Sequence, residues 1–462
     1  MTLVDHRAAV TAGATVRSLA EAALERVGDD ALHAFLELDR ARILADADAL
    51  DRRRAAGETL PLAGVPVAIK DNLCQRGTKT TCGSRMLAEW EAPYDATVVA
   101  RLRDAGALLF GKTNMDEFAM GSSTENSAFG PTRNPKDPER VPGGSSGGSA
   151  AVVGAGWVPM ALGSDTGGSV RQPAAYCGGH ALKPTYGRIS RFGLVAFASS
   201  LDQVGPFGAT AADCAALYDA IAGPDPREAT SADRPVESGT AALEAGVAGL
   251  RVGVLRSTFR QSDGAVAQVV EDAARKLEAA GATLVDATVD HLDLGLDAYY
   301  LVAPAEAASN LARFDGARYG TRVSGRDLAD TYRQTRALFG PEVVRRIVLG
   351  TYALSEGYAD EAYVRASRAR TALCRSYART FEGVDLLLSP TAPTVAFPLG
   401  ARTEDPVAMY AADVFTVPVS LAGLPASSSP AGEVGGLPVG VQLVAPPFAE
   451  ARLFSAMQVF DR

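Results

Sequence analysis

Apolar residues recur along this chain with two periods, and their alternation predicts its elements. Val16, Leu19, Ala23, Leu24 and Val27 fall on one helical face, and Gly28 stops that helix. Residues 33–38 read as a short strand, and a second amphipathic helix follows to about Arg54. The continuous apolar run over 62–69 predicts a buried strand, with Lys70-Asp71-Asn72 at its end. A helix over 97–105 is ended by Gly106, and a buried strand covers 107–111. Strand, helix and strand in alternation predict an α/β sheet. The pattern continues with a buried helix over 149–157, a short strand over 160–163 and a helix over 170–177. Strands are expected over 250–255, 283–289, 384–388 and 437–444. Val266, Val269, Val270, Ala273 and Leu277 mark a helix ended by Gly281, and 299–311 and 327–380 are mostly helical. Residues 112–130, 131–142, 224–245, 320–326 and 401–430 show neither period and read as loops, while 182–207 continue the core.

Composition narrows the class. The chain has 462 residues, 47% of them hydrophobic, enough for two to four domains or one large α/β unit. A net charge of −9 argues against a basic nucleic-acid face, so any RNA would be held mainly by another chain. Cys74, Cys82, Cys177, Cys214 and Cys374 are odd in number and lack metal spacing, as expected of reduced thiols in a cytoplasmic protein. The histidines, His6, His33, His180 and His291, are equally scattered, and no metal site is expected. No export signal opens the chain. The longest apolar run, within 149–163, is interrupted by glycines and Pro159 and is too short to span a membrane.

Chemistry concentrates in two glycine-serine turns, Gly143-Gly-Ser-Ser-Gly-Gly-Ser149 and Gly163-Ser-Asp-Thr-Gly-Gly-Ser169. Glycine lets backbone approach a ligand closely, and free N–H groups where a helix begins can bind a developing negative charge. A nucleophilic serine with its own oxyanion hole has this form, although flexible loops share the same composition. Lys70 reads either as a lysine reaching the surface at a strand end or as a buried neutral base. The second requires a pKa lowered by roughly 3 units, near 4 kcal/mol. Asp116, Glu117 and Glu125 could pair or bind a metal, but cap and ion-pair roles are the preferred reading. Lys183, before a proline, is read as structural.

Three blocks together resemble the amidase signature family: Val67-Ala-Ile-Lys-Asp-Asn72, Gly143 to Ser149 as above, and Gly163-Ser-Asp-Thr-Gly-Gly-Ser-Val-Arg-Gln-Pro173. The resemblance implies an α/β amidase signature fold, with a central mixed β-sheet covered by helices on both faces. It implies a single amidase domain over 1–462: a helical segment at 1–58, a signature core at 59–210, a pocket-lining insertion at 246–380 and a return to the sheet at 381–462. It further implies a Ser–cis-Ser–Lys triad of Ser169 as nucleophile, Ser145 as bridge and Lys70 as base, with the Gly144–Ser145 bond cis. Backbone N–H groups of Thr166, Gly167, Gly168 and Ser169 would form the oxyanion hole.

Within that family, the chain is similar to the glutamine-hydrolysing subunits of tRNA-dependent amidotransferases. The likeness rests on Gly111-Lys-Thr-Asn-Met-Asp-Glu-Phe-Ala-Met-Gly-Ser-Ser-Thr-Glu-Asn-Ser-Ala-Phe-Gly-Pro131, Leu194-Val-Ala-Phe-Ala-Ser-Ser-Leu-Asp-Gln203, Asn310-Leu-Ala-Arg-Phe-Asp-Gly-Ala-Arg-Tyr-Gly320 and Leu421-Ala-Gly-Leu-Pro-Ala426. It implies that glutamine is held by Tyr300, Arg346 (with Arg345 as rival) and Asp413. It also implies B and C partner subunits, misacylated tRNA bound mainly through B, ATP and Mg used by B, and no cofactor on this chain. The alternatives are a stand-alone amidase for small or aryl/acyl amides, and a scaffold subunit without catalysis. His180 departs from the small apolar residues expected there and reads either as a harmless substitution or as a packing change beneath the nucleophile helix, with no catalytic role assigned.

Overall fold

The computed structural model describes residues 1–461, Asp360 by its backbone alone. Among the described residues one sheet carries eleven strands. They are β1 (Phe35–Glu37), β2 (Pro66–Lys70), β3 (Leu108–Thr113), β4 (Met160–Asp165), β5 (His180–Lys183), β6 (Gln203–Gly208), β7 (Arg251–Val254), β8 (Thr283–Asp286), β9 (Leu386–Pro390), β10 (Ala426–Val434) and β11 (Leu437–Val444). Their spatial order is β1-β3-β2-β4-β6-β5-β10-β11-β9-β7-β8. β2 runs parallel to β3 and β4, and β7 runs parallel to β8 and β9. The strands between these groups pair antiparallel, so the sheet is mixed.

Helices cover both faces, which explains the near-continuous apolar runs of the inner strands. Val67 and Ile69 of β2 pack on one face with Val98 and Leu102 of helix Thr97–Asp104 and Leu217 of helix Ala211–Ile221. Ala68 points to the opposite face, with Val16, Leu24 and Ala47 from helices Val16–Val27 and Arg40–Ala55, and Ala151 of helix Gly147–Gly154. A third apolar cluster joins helices Gly295–Leu311, Pro341–Ala353 and Arg365–Thr380 to Leu387 of β9 and Val444 of β11. Cys74, Cys82, Cys177 and Cys214 are buried, and all five cysteines are free thiols.

Several elements differ from the sequence expectation. Residues 401–430, read as loop, hold helices Pro406–Tyr410 and Val417–Leu421 and the start of β10. The serine run of β10 hides it from a hydrophobic pattern, because Ser427, Ser428 and Ser429 are buried polar residues. Ser428 pairs with Thr391, and Ser429 with His180. Glycine and proline likewise interrupt β6, and glycine, proline and serine the stretch between β5 and β6. β2 begins only at Pro66, because Ala63 and Gly64 turn with positive φ. The helix Leu3–Thr11 is not foreshadowed by its sparse apolar residues; a Thr2/Asp5 capping box starts it.

His180 opens β5, where one ring nitrogen meets Ser429 Oγ at 3.1 Å and the other meets Asp461 Oδ1 at 3.1 Å. It therefore ties the last described turn of the chain to the sheet. Lys183 is buried and donates to the carbonyls of Pro184 and Leu424.

Candidate active site

The site forms where β2 and β4 end side by side. Lys70 is the last residue of β2, and β4 runs into the turn 165–170 that precedes helix Arg171–Cys177. Lys70 is completely buried. Its Nζ donates to Ser145 Oγ (2.8 Å), Ser146 Oγ (2.7 Å), Ser164 Oγ (2.9 Å) and, at 3.3 Å, the Ser164 carbonyl. Asn72 Nδ2 also donates to Ser164 Oγ, at 2.9 Å. Ser146 gives its own proton to the Ser164 carbonyl (3.1 Å), so among the hydroxyls around the amine Ser145 and Ser164 keep a proton free to turn toward it. Burial among neutral hydroxyls pulls Lys70 from 10.5 to about 7, and the charges of Asp116, Asp165 and Asp202 oppose the shift only in part.

The two glycine-serine turns meet. The Gly144–Ser145 bond is cis, and Ser146 N donates to the Ser169 carbonyl at 3.2 Å. Asp116 holds the first turn from outside: it accepts N–H bonds from Ser123, Thr124 and Asn126, while its own N–H donates to the Ser145 carbonyl. Asp116 precedes the short turn Glu117–Ala119 without a side-chain cap bond there, so its carboxylate holds the 123–126 loop rather than a helix or an arginine. Among the described residues no group of three or more His, Cys, Asp or Glu is placed to hold a metal. Glu117 accepts from Ser84 Oγ and Gly340 N, and Glu125 from Gly400 N.

The second turn is braced by a buried ion pair. Asp165 Oδ2 accepts from Arg171 Nε at 3.0 Å and from the N–H groups of Val170 and Arg171. Burial alone would raise the Asp165 pKa, but Arg171 overrides it and holds the carboxyl below its ordinary value. Arg171 extends further to Thr416 O and Gln442 Oε1. Thr166 Oγ1 donates to Asp202 Oδ1 at 2.7 Å. Among the described residues the N–H groups of Gly167, Gly168 and Ser169 have no acceptor, and the Ser169 hydroxyl makes no hydrogen bond.

The distant residues come to the same place. A Cβ on Gly168 would overlap Thr416 Oγ1 and sit 2.7 Å from Asp413 Oδ1, so Asp413 lies directly over the turn. Asp413 Oδ2 accepts from Ser122 Oγ, whereas Oδ1 is buried without a hydrogen-bond partner among the described residues. Burial pushes Asp413 up to about 7. A Cβ on Gly167 would stand 2.9 Å from the Tyr299 hydroxyl, and the rings of Tyr299 and Tyr300 meet at 5.1 Å. Arg346 is buried, with its guanidinium 5.2 Å from the ring centres of both Tyr300 and Tyr410 and 5.4 Å from Phe197. Arg345, the rival, has a side chain 41% exposed, against 3% for Arg346. Sequence reading missed Ser146, Ser164, Tyr299, Glu342 and Tyr410. Two had a local signal: Ser146 doubles Ser145, and Glu342 stands one helical turn before Arg346.

The Amidase family model matches residues 18–454. A relative from Moorella thermoacetica, described as the A subunit of glutamyl-tRNA(Gln) amidotransferase, is 57% identical over 437 residues, 94% of this chain and 90% of that protein. A Chromohalobacter salexigens protein of the same description is 51% identical, covering 100% of this chain and 96% of its own length. The crystal structure of the A subunit of the Thermotoga maritima glutamyl-tRNA(Gln) amidotransferase matches with a TM-score of 0.80 and 41% identity, over 95% of this chain and 90% of that one.

Proposed function

This chain belongs to the amidase family, and from that premise we propose that it is the glutamine-hydrolysing subunit of a tRNA-dependent amidotransferase. The observation that carries the choice of glutamine is the pairing of a buried cation with a buried anion around one turn. Arg346 offers a fork for an α-carboxylate, and the unpartnered Asp413 Oδ1 offers an acceptor for an α-ammonium. A small or aryl amide would need neither charge.

In this reading Ser169 is the nucleophile. Neutral Lys70 accepts a proton from Ser145, which takes the Ser169 proton as Oγ attacks the carboxamide carbon. The N–H groups of Gly167, Gly168 and Ser169, with Thr166 at the turn's start, receive the oxyanion. The proton returns along Ser145 to the departing nitrogen, ammonia leaves, and water hydrolyses the glutamyl ester to glutamate. What supports the relay is the 2.8 Å contact of Lys70 with Ser145 and the downward pull on the lysine.

Ammonia is then used by a B subunit, which activates the misacylated Glu-tRNA(Gln), and Asp-tRNA(Asn) where it is made, with ATP and Mg. A C subunit completes a heterotrimer. The chain itself carries no cofactor, holds little of the tRNA, and works in the cytoplasm. No helix among the described residues is long and apolar enough to cross a membrane.

The test is glutamine hydrolysis by the chain alone and with its partners, with ATP and Glu-tRNA(Gln). Turnover of glutamine that rises with partners is expected. Hydrolysis of hydrophobic amides with none of glutamine would overturn the reading in favour of a stand-alone amidase.

A further inference from the structure

Arg346 meets a carboxylate on one edge only, with the Tyr299 hydroxyl as a further neighbour. Its Nε donates to Glu342 Oε1 at 2.8 Å, one turn back on helix Pro341–Ala353. Its two terminal nitrogens make no hydrogen bond to a carboxylate among the described residues. The same Glu342 Oε1 accepts from the Tyr410 hydroxyl at 2.9 Å, and Glu342 Oε2 accepts from Arg345. The Tyr410 ring in turn stacks on Tyr300, centroids 3.9 Å apart and planes 21° apart. One buried carboxylate therefore joins both arginines and the tyrosine pair.

We propose that Glu342 is a positioning and specificity-determining residue: by occupying the Nε edge of Arg346 it turns the terminal-nitrogen edge toward the substrate, selecting amides that carry an α-carboxylate. This rests on the glutaminase reading above. A guanidinium can grip a carboxylate through either its Nε side or its terminal side. With the Nε side filled, one approach remains. Charge favours the same outcome. Glu342 carries one negative charge against two arginines, so the cluster keeps a net positive charge beside the site. Tyr410 adds a third hold: its hydroxyl donates to Glu342, and its ring centre lies 5.2 Å from the guanidinium carbon of Arg346.

The experiment measures glutamine hydrolysis by the complete complex across glutamine concentration, for the parent, Glu342→Gln and Tyr410→Phe. Hydrolysis of glutamine by the parent tests the function; the comparison with the variants tests Glu342. Glu342→Gln keeps the shape and removes the charge. We expect its KM to rise about tenfold or more while kcat stays within about twofold, since a lost hold on a non-reacting group removes uniform binding. Hydrolysis of 4-aminobutanamide, which keeps the ammonium and lacks the carboxylate, should change by less than about twofold. Tyr410→Phe keeps the stack and should raise KM severalfold, which supplies the reading if Glu342→Gln does not fold. An unchanged KM in both variants overturns the proposal. Equal losses on glutamine and 4-aminobutanamide also overturn it, because they mark a residue that only supports the helix.

Discussion

Turnover should follow the protonation of one buried amine. Removing Lys70 from water lowers its pKa from 10.5 to about 7, a cost of about 5 kcal/mol paid by the native state. At pH 7 an unperturbed lysine would be neutral in roughly one molecule in 3,000, and Lys70 is neutral in about half. Under saturating glutamine, kcat should therefore fall nearly tenfold for each pH unit below about 6.5 and level off above about 8. KM should move separately. Asp413 titrates near 7 as well, so below that pH it loses the charge that attracts the substrate ammonium and KM climbs. The assay is steady-state ammonia release between pH 5.5 and 10 with the complete complex, with kcat and KM extracted at each pH. A kcat that is flat from pH 6 to 9, or one still rising tenfold per unit at pH 9.5, would refute the buried-base argument. The same shift has a sign in stability. Between about pH 7 and 10.5 the unfolded chain binds a proton on Lys70 that the native chain does not, so this group makes stability rise with pH across that window. Urea unfolding of Lys70→Met should accordingly show its most favourable difference from the parent near pH 6, fading by pH 10.

Gly168→Ala should abolish hydrolysis of every amide and lower stability by about 1–3 kcal/mol, since the new Cβ overlaps Thr416; activity and urea midpoints check both. Arg171→Met leaves Asp165 buried without its cation and should cost about 3–5 kcal/mol, with much of it recovered by adding Asp165→Asn, as read by chemical denaturation. Burial pushes Glu117 up to about 7, so its ionisation destabilises the fold as pH rises from the ordinary glutamate range through 7. Glu117→Gln should therefore gain stability relative to the parent at pH 8 compared with pH 5, in paired melting curves. Ser169→Ala should form no glutamyl-enzyme in rapid-quench mass spectrometry, and turnover at the parent rate would remove it from the nucleophile's role.

The α/β class and the inner strands were legible because a sheet covered on both faces writes itself as apolar runs. β2, β4 and β11 are of that kind. β10 was not, since its serines reach the interior through hydrogen bonds to Thr391 and His180 rather than through hydrophobicity. The two glycine-serine turns and Lys70 were visible as motifs in local sequence. Asp413 and Arg346 have no local mark that separates them from surface charges, and their naming depended on resemblance. Glu342 has a local mark in its place one helical turn before Arg346, but Tyr299 against Gly167 and Tyr410 against Glu342 meet only through the fold, and nothing in the linear pattern reports those contacts.

The order of strands in space also sets a schedule for making the protein. β5 lies beside β6 on one side and β10 on the other, and roughly 220 residues separate the end of β6 from the start of β10, so a ribosome adding 5–20 residues per second leaves that edge open for about 10–40 s. Arg171 waits for Thr416 and Gln442 over the same interval, and the turn bearing Ser169 has no roof until Asp413 arrives. A nascent chain stalled before residue 413 would thus be inert toward amides and exposed to pairing with its neighbours on a polysome. The Ser169 turn is roofed, and that edge of β5 is paired, only once the chain has been made through β10 at residue 434.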